Sequence, residues 1–358
     1  MSRMKEISEN VIIDSWLEHF LRTPRQFNEP HEADAELIEI PGDSNHYFAI
    51  TIDTVAEEIT TGLYKDPYTM GWVTVMACLS DLAAVGAEPL GMVVSVSVES
   101  HRDKVFTKSI AQGMEDACRT LGIFILGGDT NITPTISLTG CAIGIVPRKK
   151  VITRCGCKPE DALFITGGVG AGNALGLVRL ANMPDDYFPE KSYRPVARLK
   201  EGQLLRNYAG CFMDTSDGLL TTLDQLMRLN GLGFIIHCDW EKILSPQVLE
   251  FCNHTKTPHW LMTAGPHGEF ELLFTIPSKK ENEFLAEAQS HGINPIRLGR
   301  VQQTPVVSLV LPSGQRVDVD VAPLRNLLYT VEGDLKRFLK EFRAFGKKWG
   351  LEEKMNEN

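Results

Sequence analysis

The chain has 358 residues, of which 43% are apolar and 23% are charged, proportions typical of a folded globular protein. Acidic residues outnumber basic ones by 46 to 36, and this excess argues against general nucleic-acid binding, which requires a basic surface. No apolar run approaches the roughly 18 residues of a membrane-spanning helix, and the first residues lack the apolar core of a signal peptide. The composition therefore predicts a cytoplasmic protein, long enough for two domains, with no membrane or nucleic-acid partner.

The eight cysteines are scattered and include no CxxC pair, which favours reduced thiols. Cys155 and Cys157 form a CxC sequence, but no second pair lies at the spacing of a zinc finger. We interpret the two as ordinary thiols, with metal or redox chemistry as the alternative.

The first half of the chain alternates between strand and helix patterns, which is typical of an α/β fold. Residues 1–35 are predicted to form a leading helix and a proline-containing connection. The predicted strands are Ala35–Ile40, Tyr47–Ile52, Leu90–Val98, Ile123–Leu126 and Pro134–Val146. The predicted helices are Gly71–Gly86 and Lys104–Leu121.

Carboxylates stand at the turns and strand ends of this half. Asp43 lies in a glycine turn, Asp53 follows the second strand, and Asp129 follows two glycines after a short strand that we expect to be buried. Asp81 interrupts an apolar helix, where an unpaired carboxylate is costly to bury. The alternative for Asp81 is that it simply faces water.

A second α/β domain is predicted beyond a boundary near residues 148–150. Its predicted strands are Ala162–Thr166, Gly233–Cys238, the end of Gly265–Ile276, Ile296–Val310 and Arg316–Val321, and its predicted helices include Pro246–Phe251 and Lys279–His291. The tail, Asp334–Trp349, is predicted to be a basic amphipathic helix. We favour packing of this helix against its own domain or a dimer partner over binding to a membrane surface.

The glycine-rich loop Gly167–Gly172 follows a strand and precedes a helix, as a dinucleotide-binding fingerprint does. The third glycine position holds Asn173, and no acidic residue ends a second strand at the expected distance. The sequence therefore argues against NAD binding, and the absence of a Walker A sequence means that any nucleotide must be held by metal ions and loops.

The stretch Met213–Leu220 carries two carboxylates, Asp214 and Asp217, around the hydroxyl of Ser216 at a predicted strand-to-helix turn. A helix start favours a phosphate group, and paired carboxylates favour Mg²⁺. The alternative is that Ser216 or Asp217 only caps the helix.

Six aspartates are therefore candidate Mg²⁺ ligands: Asp43, Asp53, Asp81, Asp129, Asp214 and Asp217. Converging carboxylates repel one another unless cations bind between them. Chemistry on a triphosphate coordinated by several Mg²⁺ ions meets that requirement.

Several of these motifs, taken in order, resemble those of the thiamine-monophosphate kinase family. That family shares a superfamily with aminoimidazole ribonucleotide synthetase, selenophosphate synthetase and a hydrogenase maturation protein. The similar stretches lie between about residues 40 and 325 and are Asp53-Thr54, Leu79–Pro89, Gly127–Thr130, Arg154–Pro159 and Asp214–Leu219.

The resemblance implies an N-terminal domain over residues 36–148 that contributes strands to a β-barrel at a homodimer interface. It also implies a C-terminal α/β domain over residues 149–330, with residues 331–358 as a helical tail. ATP is expected between the domains, and the reaction would transfer its γ-phosphoryl group to thiamine monophosphate to give thiamine diphosphate and ADP.

The resemblance also assigns roles to individual residues. Catalytic roles are expected for Asp129, Asp214 and Asp217. ATP contacts are expected from Thr54, Gly128, Asp129, Arg154 and Ser216. Substrate contacts are expected from Glu269 and Phe270.

Three segments depart from the family pattern. Gly42–His46 stands in place of Gly-Asp-Asp-Ala-Ala and lacks one carboxylate, Val55–Ile59 lacks the family's histidine, and His267–Leu272 replaces Gly-Glu-Asp-Tyr-Glu-Leu. Because these segments belong to motifs that face metal and substrate, two alternatives stay open. One is a paralogue that uses ATP on another small molecule, and the other is a non-catalytic nucleotide-binding homologue.

Overall fold

The computed structural model describes residues 4–351 and contains one β-sheet in each half of the chain. The first sheet has the order β1-β2-β5-β3-β4 and consists of β1 (Glu36–Glu39), β2 (His46–Thr54), β3 (Glu88–Val98), β4 (Ile125–Ile132) and β5 (Ser137–Pro147). The second has the order β12-β11-β8-β10-β6-β9-β7 and consists of β6 (Ala162–Ile165), β7 (Phe212–Asp214), β8 (Gly233–His237), β9 (Leu272–Ile276), β10 (Ile296–Gln302), β11 (Val307–Val310) and β12 (Arg316–Val319).

Helices accompany both sheets, and the predicted α/β class is confirmed. In chain order they are α1 (Ser8–Leu17), α2 (Ala56–Thr60), α3 (Pro67–Ala83), α4 (Lys104–Leu121), α5 (Ala171–Leu180), α6 (Leu199–Leu205), α7 (Leu219–Asn230), α8 (Trp240–Ile243), α9 (Pro246–Thr255), α10 (Leu261–Ala264), α11 (Glu281–Ser290), α12 (Ala322–Arg325), α13 (Leu327–Thr330) and α14 (Leu335–Lys348). Short 3₁₀ turns occupy Met4–Glu6, Arg148–Lys150, Glu190–Ser192 and Ser278–Lys280. No helix within residues 4–351 is long and apolar enough to cross a membrane.

Helix α3 is the most deeply buried helix of the first half. Its N-terminus is capped by Asp66, whose carboxylate accepts a hydrogen bond from the Thr69 N–H at 3.2 Å. A Cβ at Gly71 would lie 2.0 Å from the carbonyl oxygen of Ile110, so only glycine permits this close crossing with α4. The tight packing fixes the far end of α3, which carries Ser80 and Asp81.

The first sheet packs one face against α3 and exposes apolar side chains on the other. Ile52 of β2 and Val93 of β3 both pair with Cys141 of β5, so the three side chains form a row on this outer face. Ile52 is 71% exposed and Leu126 of β4 is 62% exposed.

Strand β4 differs from the sequence-based prediction of a buried strand over Ile123–Leu126. It is an edge strand, it begins at Ile125 and continues to Ile132, and most of it is exposed. Gly128 and Asp129 therefore lie within the strand rather than after it. Leu126, one of the apolar residues on which the prediction of burial was based, lies on the exposed outer face.

The strand predicted over Ile296–Val310 is divided into β10 and β11. The two strands are separated by residues 303–306, which include Pro305. Both strands flank β8, β10 antiparallel to it and β11 parallel. The turn is needed because the chain must cross from one side of β8 to the other.

Helix α14 packs against the second half of the chain. Phe342 makes an edge-to-face contact with Trp260 at 5.9 Å between ring centroids, and Trp349 makes another with the same ring at 5.8 Å. A Cβ on Gly346 would lie 2.7 Å from the Trp260 ring. The basic side chains of the helix lie on its exposed face, and residues 352–358 of the predicted tail, like residues 1–3 of the predicted leading segment, lie outside the described residues.

We expect Phe342→Ala to lower the free energy of unfolding by about 3 kcal/mol, because it removes a buried ring and leaves a cavity beside Trp260. Equilibrium urea denaturation followed by tryptophan fluorescence measures this loss. Arg343→Ala on the exposed face of the same helix is the control and should stay within about 0.5 kcal/mol of the wild type. Equal stabilities for the two variants would contradict the packing of α14 onto Trp260.

Candidate active site

Three carboxylates from distant parts of the chain meet between the two sheets. Asp34 precedes β1, Asp81 lies near the end of α3, and Asp214 ends β7. One oxygen from each lies within 4.8 Å of the other two. We call these three residues the acidic cluster.

Hydroxyl groups hold two members of the acidic cluster in place. Ser80 Oγ donates to Asp214 Oδ2 at 2.6 Å, which joins α3 of the first half to β7 of the second. Thr51 Oγ1 donates to Asp81 Oδ2 at 2.5 Å. Asp81 is half-buried and hydrogen-bonded, so the alternative in which it only faces water does not hold.

An ion pair holds the third member. Arg154 Nη2 donates to Asp34 Oδ1 at 2.7 Å, and both side chains are largely buried. Asp34 Oδ2 is buried, and no described residue donates a hydrogen bond to it. Arg154 Nη1 also donates to the His31 carbonyl at 3.3 Å, and the His31 ring pairs with Asp14 of α1 at 2.9 Å. Helix α1 is therefore linked to the acidic cluster through Arg154.

Burial and mutual repulsion raise the pKa of these carboxylates. Burial, followed by repulsion from Asp214, Asp53 and Asp34, raises the pKa of Asp81 well above its ordinary value. Burial also raises the pKa of Asp34 to about 6 despite the attraction of Arg154. A cation bound in the site would stabilise the ionised forms and lower these pKa values.

Asp53 and Asp217 lie beside the acidic cluster. Burial, with a contribution from Asp214, raises the pKa of Asp53 to about 6, and burial with Glu9 and Asp214 raises that of Asp217 to about 7. The Thr54 N–H donates to Asp53 Oδ1 at 2.7 Å. Ser216 Oγ donates to Asp214 Oδ1 at 3.0 Å. The N-cap of α7 is Gly218 and no side chain accepts a hydrogen bond from the first N–H groups of this helix, so neither Ser216 nor Asp217 caps it.

The structure does not bring Asp43 to the acidic cluster. Asp43 lies in the turn before β2, opposite the end that carries Asp53, and the length of β2 separates them by roughly 25 Å. Its carboxylate accepts the Asn45 N–H at 2.6 Å and pairs with the His46 ring at 2.9 Å. The glycine turn at Gly42 led to the prediction that Asp43 is a metal ligand. The carboxylate from this part of the chain that lies in the acidic cluster is Asp34.

Gly128 and Asp129 lie on the outer strand of the first sheet. Asp129 is in register with Ser95, Ser95 with Thr139, and Thr139 with Thr54, which places Asp129 three strands, or about 14 Å, from Thr54. Its exposed carboxylate accepts a hydrogen bond from Asn131 at 2.7 Å. Within this chain Asp129 is therefore separate from the acidic cluster.

Glu269 and Phe270 are both buried inside the second half. Glu269 Oε1 accepts hydrogen bonds from the N–H groups of Gly170 at 2.8 Å and Gly172 at 2.9 Å. The carboxylate thus fills the helix start of the glycine-rich loop, where a phosphate would otherwise fit. Burial raises the pKa of Glu269 to about 8. This geometry does not present either residue to a ligand.

Asp34 and Glu58 are the carboxylates that sequence reasoning missed. Burial raises the pKa of Glu58 to about 7, with smaller contributions from Glu57 and Asp53. No glycine turn accompanies either residue, so the signal used for the other carboxylates was absent. The alternation of Asp34 with the apolar residues Ala33 and Ala35 before a predicted strand was the signal that could have identified it.

The donor set fits Mg²⁺. Carboxylate oxygens are hard ligands, and Asp34 Oδ2 offers a buried lone pair without a donor among the described residues. Sulfur and imidazole groups are not part of the acidic cluster, which disfavours softer transition metals.

In metal-free protein, stability should fall as pH rises from 5.5 to 7.5. The unfolded carboxylates titrate near pH 4, whereas folded Asp34, Asp53, Asp217 and Glu58 titrate near pH 6 to 7. The folded state binds protons at these carboxylates more tightly than the unfolded state does. This preference contributes its full amount to the free energy of unfolding below pH 4, and the contribution is lost as the pH rises through 6 to 7. Thermal unfolding in EDTA measures the effect.

Asp53→Asn should flatten this pH dependence, because it removes one of the titrating groups. Glu341→Gln, at an exposed carboxylate of α14, is the control and should leave the slope between pH 5.5 and 7.5 unchanged. A Tm that rises over this window, or identical slopes for wild type and Asp53→Asn, would contradict the raised pKa values.

Comparisons with known proteins identify the family and the fold of the chain. Residues 32–146 match the family model described as AIR synthase related protein, N-terminal domain, and this range includes Asp34. A solved structure described as AaThiL complexed with AMPPCP and TMP has a TM-score of 0.70 and 22% identity over 87% of this chain and 94% of its own. A structure of the hydrogenase maturation protein HypE in complex with ATP has a TM-score of 0.65 and 18% identity over 89% of this chain and 96% of its own.

A thiamine-monophosphate kinase of Archaeoglobus fulgidus is 30% identical over 261 residues, which cover 72% of this chain and 79% of the relative. The thiamine-monophosphate kinase of Escherichia coli K12 is also 30% identical, over 252 residues that cover 68% of this chain and 75% of the relative. The resemblance found in the sequence motifs is thereby confirmed. The chain belongs to the thiamine-monophosphate kinase family and is an ATP-dependent kinase.

Proposed function

We propose that this kinase transfers the γ-phosphoryl group of ATP to thiamine monophosphate, giving thiamine diphosphate and ADP. The observation that carries the proposal is the convergence of Asp34, Asp81 and Asp214 in a member of this family. The related AaThiL structure, complexed with AMPPCP and TMP, supports this choice of nucleotide and acceptor. Direct transfer needs no covalent intermediate on the protein.

Asp34, Asp81 and Asp214 would hold Mg²⁺, with Asp53 and Asp217 at the edge of the site. Bound Mg²⁺ supplies charge neutralisation for the transferring phosphoryl group. Ser80 and Thr51 each donate a hydrogen bond to one oxygen of Asp214 and Asp81, respectively, and so restrict the rotation of these carboxylates. The raised pKa values mean that protons occupy the site at low pH and compete with the cation.

Arg154 would act beside the metal ligands. Its guanidinium is fixed by Asp34 and the His31 carbonyl, while its Nε has no acceptor among the described residues. A buried, preorganised cation at this place can stabilise negative charge that develops on a phosphate. Ser216 offers a hydroxyl next to Asp214 for the same purpose.

We further propose a homodimer formed through the outer face of the first sheet, and a division into domains at 36–148 and 149–330. The row of Ile52, Cys141 and Val93, with exposed Leu126 nearby on β4, supports an interface there. Docking two such faces would close two open sheets into a barrel and cover the exposed edge strand. Asp129 lies on this surface, so the proposed nucleotide contacts of Gly128 and Asp129 depend on the assembly.

Incubation with Mg-ATP and thiamine monophosphate should release ADP and yield thiamine diphosphate, measured by chromatography of both products. Asp81→Asn should reduce turnover by about 100-fold or more, because it removes a charge that the reaction requires. Asp43→Asn is the matched control and should retain most of the activity. ADP release without thiamine diphosphate would favour another acceptor, and nucleotide binding without turnover would favour a non-catalytic homologue.

Val93→Lys should convert the dimer into a monomer, because it would bury two unpaired charges in the proposed apolar interface. Light scattering coupled to size-exclusion chromatography measures the mass of each species. Val105→Lys, on the exposed side of α4, is the control and should remain dimeric. A monomeric wild type would remove the dimer proposal while leaving the kinase proposal intact.

A further inference from the structure

Helix α1 buries little of its own surface. Asn10 is the one buried residue between Ser8 and Leu17, while Ile12 and Trp16 are exposed. Apolar packing therefore contributes little to holding this helix. Its position depends mainly on polar contacts with neighbouring segments, and these contacts lie at its two ends.

The start of α1 is attached to the second half of the chain. Asn326, between α12 and α13, accepts a hydrogen bond from the Ser8 N–H at 2.8 Å and donates one to the Glu6 carbonyl at 2.6 Å. Arg228 Nη1 of α7 donates to Glu6 Oε2 at 2.8 Å. These three bonds fix the start of α1 against the helices of the second half.

The other end of α1 is attached to the segment that precedes β1. Asp14 Oδ1 lies 2.9 Å from His31 Nε2, and the His31 ring is largely buried. His31 has a left-handed backbone conformation, with a φ of 67°. This conformation is unfavourable for a residue that has a Cβ, so the contact with Asp14 opposes its relaxation to a commoner one.

Two consecutive carbonyl groups of this segment hold Arg154. The His31 carbonyl accepts a hydrogen bond from Arg154 Nη1 at 3.3 Å, and the Glu32 carbonyl accepts one from the Arg154 N–H at 2.7 Å. A change in the backbone conformation of His31 would change the direction of these carbonyl groups relative to the ring. The contact between Asp14 and His31 therefore restrains the groups that hold the arginine.

The guanidinium of Arg154 is fixed by contacts on two sides. Nη2 donates to Asp34 Oδ1 at 2.7 Å, and Nη1 donates to the neutral carbonyl of His31. Without the His31 contact, the guanidinium could rotate about its remaining bond to Asp34. Asp81 and Asp214, each with an oxygen within 4.8 Å of one of Asp34, would attract it further towards the acidic cluster.

We propose that Asp14 and His31 are positioning residues, which hold the guanidinium of Arg154 in the orientation that contacts a nucleotide phosphate. Neither residue touches the nucleotide, and both act through Arg154. The inference rests on the proposed function, because it requires the phosphate contact that is assigned there to Arg154. Both residues precede residues 32–146, the range that matches the family model.

The chain contains a second arrangement of the same kind, far from the acidic cluster, that serves as a control. Asp43 Oδ2 lies 2.9 Å from His46 Nδ1, and the His46 carbonyl accepts a hydrogen bond from Arg148 Nε at 3.2 Å. The side chains of Asp43 and Asp14 are similarly exposed, at 34% and 36%. Asp43→Ala therefore removes an equivalent contact at the opposite end of β2 from Asp53.

Asp14→Ala should weaken the binding of Mg-AMPPCP about five- to tenfold, the value of one hydrogen bond, as measured by titration calorimetry. Alanine favours the helical conformation, so α1 should remain intact. Asp14→Asn retains an acceptor for the His31 ring and should stay within about twofold of the wild type. Asp43→Ala should bind as the wild type does. Unchanged affinity in Asp14→Ala, or an equal loss in Asp43→Ala, would overturn the proposal.

A double-mutant cycle tests whether the effect passes through Arg154. Arg154→Lys retains the positive charge but loses the forked geometry of the guanidinium. In this background Asp14→Ala should weaken the binding of Mg-AMPPCP by less than about twofold. The same five- to tenfold loss in both backgrounds would show that Asp14 acts independently of Arg154, and it would overturn the proposal.

Because Mg-AMPPCP binds without an acceptor, these titrations keep the inference separate from the proposed reaction. If the wild type makes no thiamine diphosphate but the titrations give the expected pattern, the positioning role stands while the proposed function fails. If the wild type makes thiamine diphosphate but Asp14→Ala binds Mg-AMPPCP equally well, the function stands and the positioning role is overturned. No binding of Mg-AMPPCP by the wild type would overturn both.

Discussion

Burial of carboxylates that lie close together is the constraint on which the rest of this structure depends. Asp34, Asp81 and Asp214 come from three separate segments, and burial is the main cause that raises the pKa of each, with mutual repulsion adding to it for Asp34 and Asp81. Neutral hydroxyl donors and a single ion pair with Arg154 offset part of the cost of burying them. A cation held by the three carboxylates would offset the remainder and would thereby stabilise the folded arrangement that brings them together.

The position of the acidic cluster depends on how α3 is anchored at both ends. At its start, the carboxylate of Glu190, from the second half, accepts hydrogen bonds from the N–H groups of Lys65 and Asp66 at 3.0 Å. At its end, Ser80 bonds to Asp214. A helix of 17 residues that is fixed at both ends and buried between them cannot shift along its axis without breaking these bonds. Its rigidity makes it a suitable carrier for a metal ligand.

The helices and strands around the site were easier to predict from the sequence than the residues that form the site. Asp214 and Asp217 were identifiable because a strand-to-helix turn marks a phosphate or metal site, and this turn is present. Asp34 was missed because Asp43 lies in a glycine turn, which is a common place for a ligand-binding carboxylate, whereas Asp34 does not. Only the pairing of β1 with β2 places Asp34 near the end of β2 that carries Asp53 and leaves Asp43 at the other end. The exposure of Leu126 was equally unpredictable, since an apolar run looks the same on a buried strand and on an open outer face.

The glycine-rich loop shows how this chain restricts where a nucleotide can be held. Its N–H groups, which in other proteins receive a phosphate, are occupied by the Glu269 carboxylate from the same half. Burial raises the pKa of Glu269 to about 8 even with these donors. A nucleotide triphosphate that cannot use a backbone cradle must be neutralised by other charges. On the proposed function, Arg154 and the cations that Asp34, Asp81 and Asp214 would hold supply these charges, and this role would account for the convergence of carboxylates in a kinase.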